Sequence, residues 1–311
     1  VLIAHRLRTA YGFAPGEAVW NGLFMSVMAF CNAGFGLLPD NMCRYARDPA
    51  LLGVLLVLMI VGGLGFIVQA NLVNFCFRRR QRPEGMRLSL HTYLVLTTTG
   101  LILLVGTLFL LVLEGRHAFA GFAFDDKLLN AFFQTATART TGFAAVPTTA
   151  LRPASILVTL VVMFIGAAPG STGGGIKVTT AAVLFATVRD MLRNRQAAEL
   201  RGRSLPRRVV VDAIAIAVLS LGVVGLACFG LALAEEGSGL TAISLVFEVV
   251  SAYTTTGLSL GATALLSVPG KLVIVACMFI GRLGPVALAM TMSRSRLGPG
   301  RRYPEETVIV G

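Results

Sequence analysis

Charge is the first thing this chain lacks. Of its 311 residues only 14 % are Asp, Glu, Lys or Arg, while 55 % are hydrophobic and the mean hydropathy is +0.78. A soluble domain carries about a quarter charged residues, so a soluble enzyme with buried core helices is set aside. Histidine is scarce, and His5, His91 and His117 are scattered. Cys31, Cys43, Cys76, Cys228 and Cys277 contain no C-x-x-C pair and have no histidine at ligand spacing, which argues against a metal centre. Cys76, Cys228 and Cys277 read as small apolar side chains. Acidic groups are also missing from the apolar runs, where only Asp212 at one end and Glu248 stand out. A membrane-embedded enzyme needs convergent His, Asp or Glu, so no catalytic residue and no covalent cofactor are expected.

Long apolar runs are what the chain has instead. Leu51–Phe77 and Leu88–Leu113 hold no Asp, Glu, Lys or Arg, and Val209–Ala234 holds only Asp212. Each exceeds the roughly 20 residues that cross a hydrocarbon core. The expected fold class is an all-α integral membrane protein. The net charge of +12 does not point to nucleic acid, because sixteen of the 27 Lys and Arg fall in Arg78–Arg87, Arg189–Arg208 and Arg294–Arg302. Each cluster follows an apolar stretch, as the positive-inside rule expects of cytoplasmic loops. Such loops also attract anionic lipid. The expected location is the plasma membrane, crossed several times.

Three segments repeat: LFMSVMAFCNAGFGL (23–37), AFFQTATARTTGFAA (131–145) and VFEVVSAYTTTGLSL (246–260). Phe24, Phe132 and Phe247 each precede a glycine by ten residues (Gly34, Gly142, Gly257), and Phe35, Phe143 or Leu258 follows it. Each copy offers only about eleven moderately apolar residues before its glycine, too few to span, so re-entrant half-helices are expected. Full-length spans are expected at 88–113 and 209–234 before the second and third copies. Further spans are expected after the copies, at 51–77, at 152–188 with an interruption, and at 270–293. The unit is therefore span, re-entrant pore helix, glycine turn, span, arranged around one pore. It divides the chain into 1–77, 78–200 and 201–311. The first unit lacks its leading span, which is expected upstream of Val1.

Irregular backbone at membrane depth survives only where protein buries it or it lines water. A half-helix ending in a glycine turn can aim carbonyls at a common axis, and a ring of such carbonyls can replace an ion's hydration shell. The bland alternative, glycines that merely let helices approach, does not explain the short helices or the threonines before Gly142 and Gly257.

With AFCNAGF (29–35), ARTTGF (138–143), PGSTGGGIKVTT (169–180), SAYTTTGLSLGAT (251–263), MFIGRLGP (278–285) and the tail YPEETVIVG (303–311), the sequence resembles the Trk, Ktr and HKT potassium transporter superfamily, and within it the membrane subunit of Ktr-type systems. The resemblance implies four repeats around one pore, of which three filters are present here, with the first repeat upstream. It implies filter walls from Asn32, Ala33 and Gly34, from Thr140, Thr141 and Gly142, and from Thr255, Thr256 and Gly257, whose carbonyls hold K+. Cys31 is read as packing behind the wall. Na+ is a second ion that could influence transport. The resemblance also implies a homodimer on a cytoplasmic, nucleotide-binding regulatory subunit ring. The basic loops at 78–87 and 189–208 suit that contact or topology alone. Lacking one filter wall, the 311 residues alone are expected to be inactive.

Gly166–Thr180, GAAPGSTGGGIKVTT, superficially resembles a phosphate-binding loop. A Walker A motif needs G-x-x-x-x-G-K-[ST]. Counting from Gly170, Ile176 stands where the lysine belongs, Lys177 comes one place late and Val178 follows it. The flanks, Pro153–Ile165 and Val178–Val188, are each too short to span, so this is an unwound stretch inside one broken span. The resemblance implies an intramembrane gating loop there, with Gly170, Ser171, Thr172, Gly173, Gly174 and Gly175 as its core. A static kink is the alternative. Arg282 lies deep in an apolar span, where an arginine costs about 2.5–3.5 kcal/mol on insertion scales. It is expected to hydrogen-bond the loop's carbonyls and repel cations from a closed gate. Lys177 either joins it or snorkels to the cytoplasmic side. The competing class is a secondary transporter with discontinuous helices coupling a solute to Na+ or H+. It expects one or two interruptions rather than three parallel glycine turns.

Overall fold

The computed structural model describes residues 1–38, 40–78, 88–195, 198–201 and 203–284. Most of the basic run 78–87, all of 294–302 and the tail 303–311 lie outside the described residues. Eleven α-helices are described: α1 (Leu2–Tyr11), α2 (Pro15–Phe30), α3 (Pro49–Leu64), α4 (Phe66–Arg78), α5 (Leu90–Glu114), α6 (Phe124–Ala138), α7 (Pro153–Phe164), α8 (Val178–Leu192), α9 (Arg207–Ala234), α10 (Ala242–Tyr253) and α11 (Val268–Leu283). One two-residue hairpin, Glu199–Leu200 with Arg203–Ser204, joins α8 to α9. The fold is all-α.

The repeat is visible in how helices pack. α5 touches both α6 and α7, and α9 touches both α10 and α11. α1 touches α2 and α3 in the same way. The first unit therefore begins with ten helical residues in the leading-helix position. Residues 1–20 are too polar to read as part of a span, so this leading helix was hidden. α5 and α9 are long and apolar enough to cross a membrane.

The exit helices α3, α7 and α11 start alike. Proline stands in the first turn of each, where its missing N–H costs nothing. A buried carboxylate serves each start. Asp48 Oδ1 accepts the Ala50 and Leu51 N–H groups, both at 3.1 Å. Glu114 Oε1 accepts Arg152 N at 2.8 Å, and Glu235 Oε1 accepts Ser267 N at 2.9 Å. Asp48 also takes Arg6 Nε at 2.9 Å and Tyr11 Oη at 3.1 Å. Burial alone pushes its carboxyl pKa up, but these donors outweigh it and hold the group below its usual value.

An exit helix also breaks where none was expected, which corrects the span at 51–77. The apolar run 51–77 is not one helix: α3 and α4 meet at 103°, at Gly65, whose φ 80 and ψ 150 are open only to glycine. α11 ends at Leu283, before Gly284 with φ 84 and ψ 137, and the rest of the span expected at 270–293 lies outside the described residues. The second exit helix is interrupted between α7 and α8, as expected.

Lipid gives little hydrophobic drive for helix association, so close packing and side-chain hydrogen bonds must supply it. Gly62 lies against the Phe30 carbonyl and Gly281 against the Tyr253 carbonyl, the same contact in two repeats. Tyr253 Oη donates to Ser220 Oγ at 2.7 Å, and Asn130 Nδ2 to the Ala46 carbonyl at 2.7 Å. Interhelical bonds of this kind average about 0.6 kcal/mol. The exposed side of α9, with Val211, Val218, Leu226 and Phe229, suits lipid.

Candidate ion filter and its gate

The three glycine turns share a pattern of positive φ. Asn32, Thr140 and Thr255 are left-handed (φ 49, 75 and 54), and two residues on come Gly34, Gly142 and Gly257 (φ 66, 92 and 89). α2 and α10 end in the same hydrogen-bond pair. Asn32 N donates to Ala29 O (3.3 Å) and Ala33 N to Met28 O (2.9 Å); Thr255 N donates to Ala252 O (3.0 Å) and Thr256 N to Ser251 O (2.8 Å). This is the Schellman termination, which ordinarily places glycine at the left-handed position. α6 ends differently, with Thr141 N and Gly142 N both on Thr137 O (2.9 and 3.2 Å). A β-branched residue at positive φ is a genuine outlier, costing about 1–3 kcal/mol, and such strain gathers at functional sites.

The turns stand side by side in a fixed order. A side chain at Gly34 would collide with the Thr141 carbonyl, and one at Gly142 with the Thr256 carbonyl. Gly257 has nothing within 4 Å on the corresponding side among the described residues. Behind the turns Thr140, Thr141, Thr254 and Thr256 are buried. Ser251 Oγ accepts Gly257 N at 3.1 Å, and Thr254 Oγ1 and Thr256 Oγ1 lie 2.8 Å apart. Ala33 sits between Asn32 and Gly34 in the same turn. Cys31 is exposed at the end of α2 rather than packed behind the wall.

The glycine-rich stretch lies against these turns. Its neck is closed by Ile176 N on Phe164 O and Val178 N on Ala167 O, both 3.2 Å. One flank pairs with the α3–α4 break, through Ala168 N on Gly63 O and Phe66 N on Gly170 O, both 3.1 Å. Ser171 Oγ turns back onto Ala168 O at 2.5 Å. Thr172 Oγ1 lies 3.0 Å from the Asn32 amide, whose other end is 2.7 Å from Thr141 Oγ1. With the amide oriented so that its oxygen also accepts Gly63 N, Asn32 ties two of the glycine turns, the end of α3 and the loop together. Gly173 and Gly174 lie against Thr140 and Thr255, and Gly175 against Thr254. Two cations hold loop carbonyls: Lys177 Nζ donates to Gly173 O at 2.6 Å, and Arg282 Nη1 to Thr172 O.

The structure thus brings the three candidate turns, the loop 170–175, Lys177 and Arg282 close together. It adds residues that were not singled out. Arg139, at the end of α6, is buried, and its Nη2 donates to Thr99 Oγ1 at 3.2 Å. A charge next to the repeated threonines was the available signal. Gly65 is another, signalled by G-x-L-G at both 62–65 and 281–284.

Residues 3–296 match the family described as TrkH, cation transport protein. The whole chain is 38 % identical to Ktr system potassium uptake protein B of Vibrio alginolyticus, covering 66 % of that protein. It is 35 % identical over its whole length to the protein of the same name from Bacillus subtilis, covering 67 % of it. Identity to potassium/sodium uptake protein NtpJ of Enterococcus hirae is 33 %, over 97 % of this chain and 66 % of that one. The crystal structure of the potassium transporter TrkH from Vibrio parahaemolyticus shares the fold, with a TM-score of 0.72 at 22 % identity over 94 % of this chain and 61 % of that chain. The chain spans about two thirds of the length of these curated relatives.

Proposed function

Since the chain belongs to the TrkH family of cation transport proteins, we propose that it supplies three walls of a K+-conducting pore in the plasma membrane. The observation that carries this reading is the row of three like turns, Gly34 on Thr141 and Gly142 on Thr256, with the loop 165–177 against them. K+ sheds water at the carbonyls of Asn32, Ala33, Gly34, Thr140, Thr141, Gly142, Thr255, Thr256 and Gly257. The open flank of Gly257 receives a fourth wall. One glycine turn per repeat gives few coordination sites, so selectivity is moderate and Na+ can influence transport. The secondary-transporter alternative accounts for broken helices but not for three like turns in a row.

Residues 165–177 act as the gate, held shut by Arg282 and Lys177 on the carbonyls of Thr172 and Gly173. The pore repeats are 1–77, 78–200 and 201–311. The basic loops face the cytoplasm. What supports a shared face is the Arg201 guanidinium, 4.3 Å over the Tyr93 ring, which brings the 199–204 hairpin to the start of α5. On that face a homodimer would dock on a nucleotide-binding regulatory ring.

The test is K+ uptake in a host lacking its own uptake systems, by the 311-residue chain and by the chain with an upstream pore repeat supplied. Uptake is expected only with the fourth repeat, and Gly257→Ser is expected to abolish its preference for K+ over Na+. No uptake in either form, or an indifferent Gly257→Ser, would contradict the reading.

A further inference from the structure

The gate and the filter meet residue for residue. Three consecutive loop positions, Thr172, Gly173 and Gly174, each face the left-handed residue of a different repeat, namely Asn32, Thr140 and Thr255. Thr172 Oγ1 is 3.0 Å from the Asn32 amide. The position a Cβ would take at Gly173 falls on Thr140 Oγ1, and at Gly174 it falls 2.7 Å from Thr255 Oγ1 and 2.8 Å from Thr254 O. Both threonine hydroxyls are buried without a hydrogen-bond partner among the described residues. They are strained residues whose side chains are turned towards the loop.

The loop's glycines are of two kinds. Gly166, Gly170 and Gly175 have φ of 51, 70 and 70 and serve the chain's path. Gly173 and Gly174 are not among the left-handed residues, so their backbone angles do not call for glycine. Space alone requires glycine there, and the filter threonines take most of it, with Ala167 of the loop itself also close to Gly173.

We propose that Asn32, Thr140 and Thr255 form a keyed seat for the gate, and that Gly173 and Gly174 are glycine so that the loop can close onto it, not so that it can move. The proposal deepens the pore reading and rests on it. It gives the left-handed positions a second role besides presenting carbonyls: their side chains read the loop's register, with one hydrogen bond at Thr172 and two close fits after it. It also gives a sign that distinguishes fit from flexibility. If the glycines supply motion, alanine stiffens the loop and lowers flux. If they supply fit, alanine props the gate off its seat and raises flux at rest.

The experiment is rubidium flux into proteoliposomes through the assembled pore, without activating partners, for the parent protein, Gly173→Ala and Gly174→Ala at matched protein amounts. Overpacking of this size shifts a two-state balance by about five- to a hundredfold, so resting flux is expected to rise at least about fivefold in each variant. Thr140→Ala removes the hydroxyl that the new methyl at 173 meets first. The other near neighbour, Ala167 Cβ at 2.6 Å, belongs to the loop and travels with it. Gly173→Ala combined with Thr140→Ala is therefore expected to return resting flux most of the way to that of Thr140→Ala alone. This comparison separates a propped gate from a misfolded one. Resting flux that falls or stays level in both glycine variants, or a double variant as leaky as Gly173→Ala, would overturn the keyed seat. A parent protein that passes no rubidium under any condition would instead overturn the pore reading beneath it.

Discussion

Asn32, Thr140 and Thr255 adopt the same left-handed backbone in three different sequence surroundings. The repeat is thus a repeat of conformation, and its glycines marked it because Gly34, Gly142 and Gly257 share a spacing from Phe24, Phe132 and Phe247. Arg282 was legible for another reason: an arginine in an apolar run must find a partner. The expected partner, a carbonyl of the glycine-rich loop, is found at Thr172, 110 residues away in the chain, although which carbonyl it would be could not be named from local pattern. Arg139 escaped notice because its neighbours are polar, and only the packed structure shows that it is buried. On the gating reading, Arg282→Ala removes a charge-assisted bond worth about 1.5–3 kcal/mol. Resting K+ leak is expected to rise roughly tenfold or more, measured as flux at matched protein amounts. An unchanged leak would remove Arg282 from the gate.

The helix breaks were the least legible elements. Hydropathy sums side chains along a run, and 51–77 is apolar throughout, so nothing in that sum records that Gly65 takes a conformation closed to other residues. The interruption at 165–177 was readable because it brings proline, hydroxyls and a lysine with it. The two features belong together: the α3–α4 break supplies Gly63 O and Phe66 N to Ala168 and Gly170. Gly65→Ala is both strained by its φ and crowded, since a Cβ there would lie 2.5 Å from Pro169 O. The loop is expected to lose this flank. Hydrogen exchange at the Phe66 and Ala168 amides should quicken by at least about tenfold, the equivalent of ~1.4 kcal/mol. Unchanged protection would show that the break does not carry the loop.

For the whole molecule, charge and hydropathy were enough to read an all-α membrane protein, since a chain with 14 % charged residues leaves few other solutions. The order of the three turns was not readable. It depends on which glycine meets which carbonyl across more than a hundred residues, Gly34 on Thr141 and Gly142 on Thr256. That order leaves Gly257 with nothing within 4 Å among the described residues, which is where the proposed fourth wall would stand. The most direct test of the pore reading is anomalous diffraction from crystals of the assembled protein grown in rubidium. A rubidium peak is expected among the carbonyls of Ala33, Thr141 and Thr256, weakened when sodium replaces rubidium. Rubidium found only away from these turns, or bound there no better than sodium, would contradict a carbonyl filter for K+.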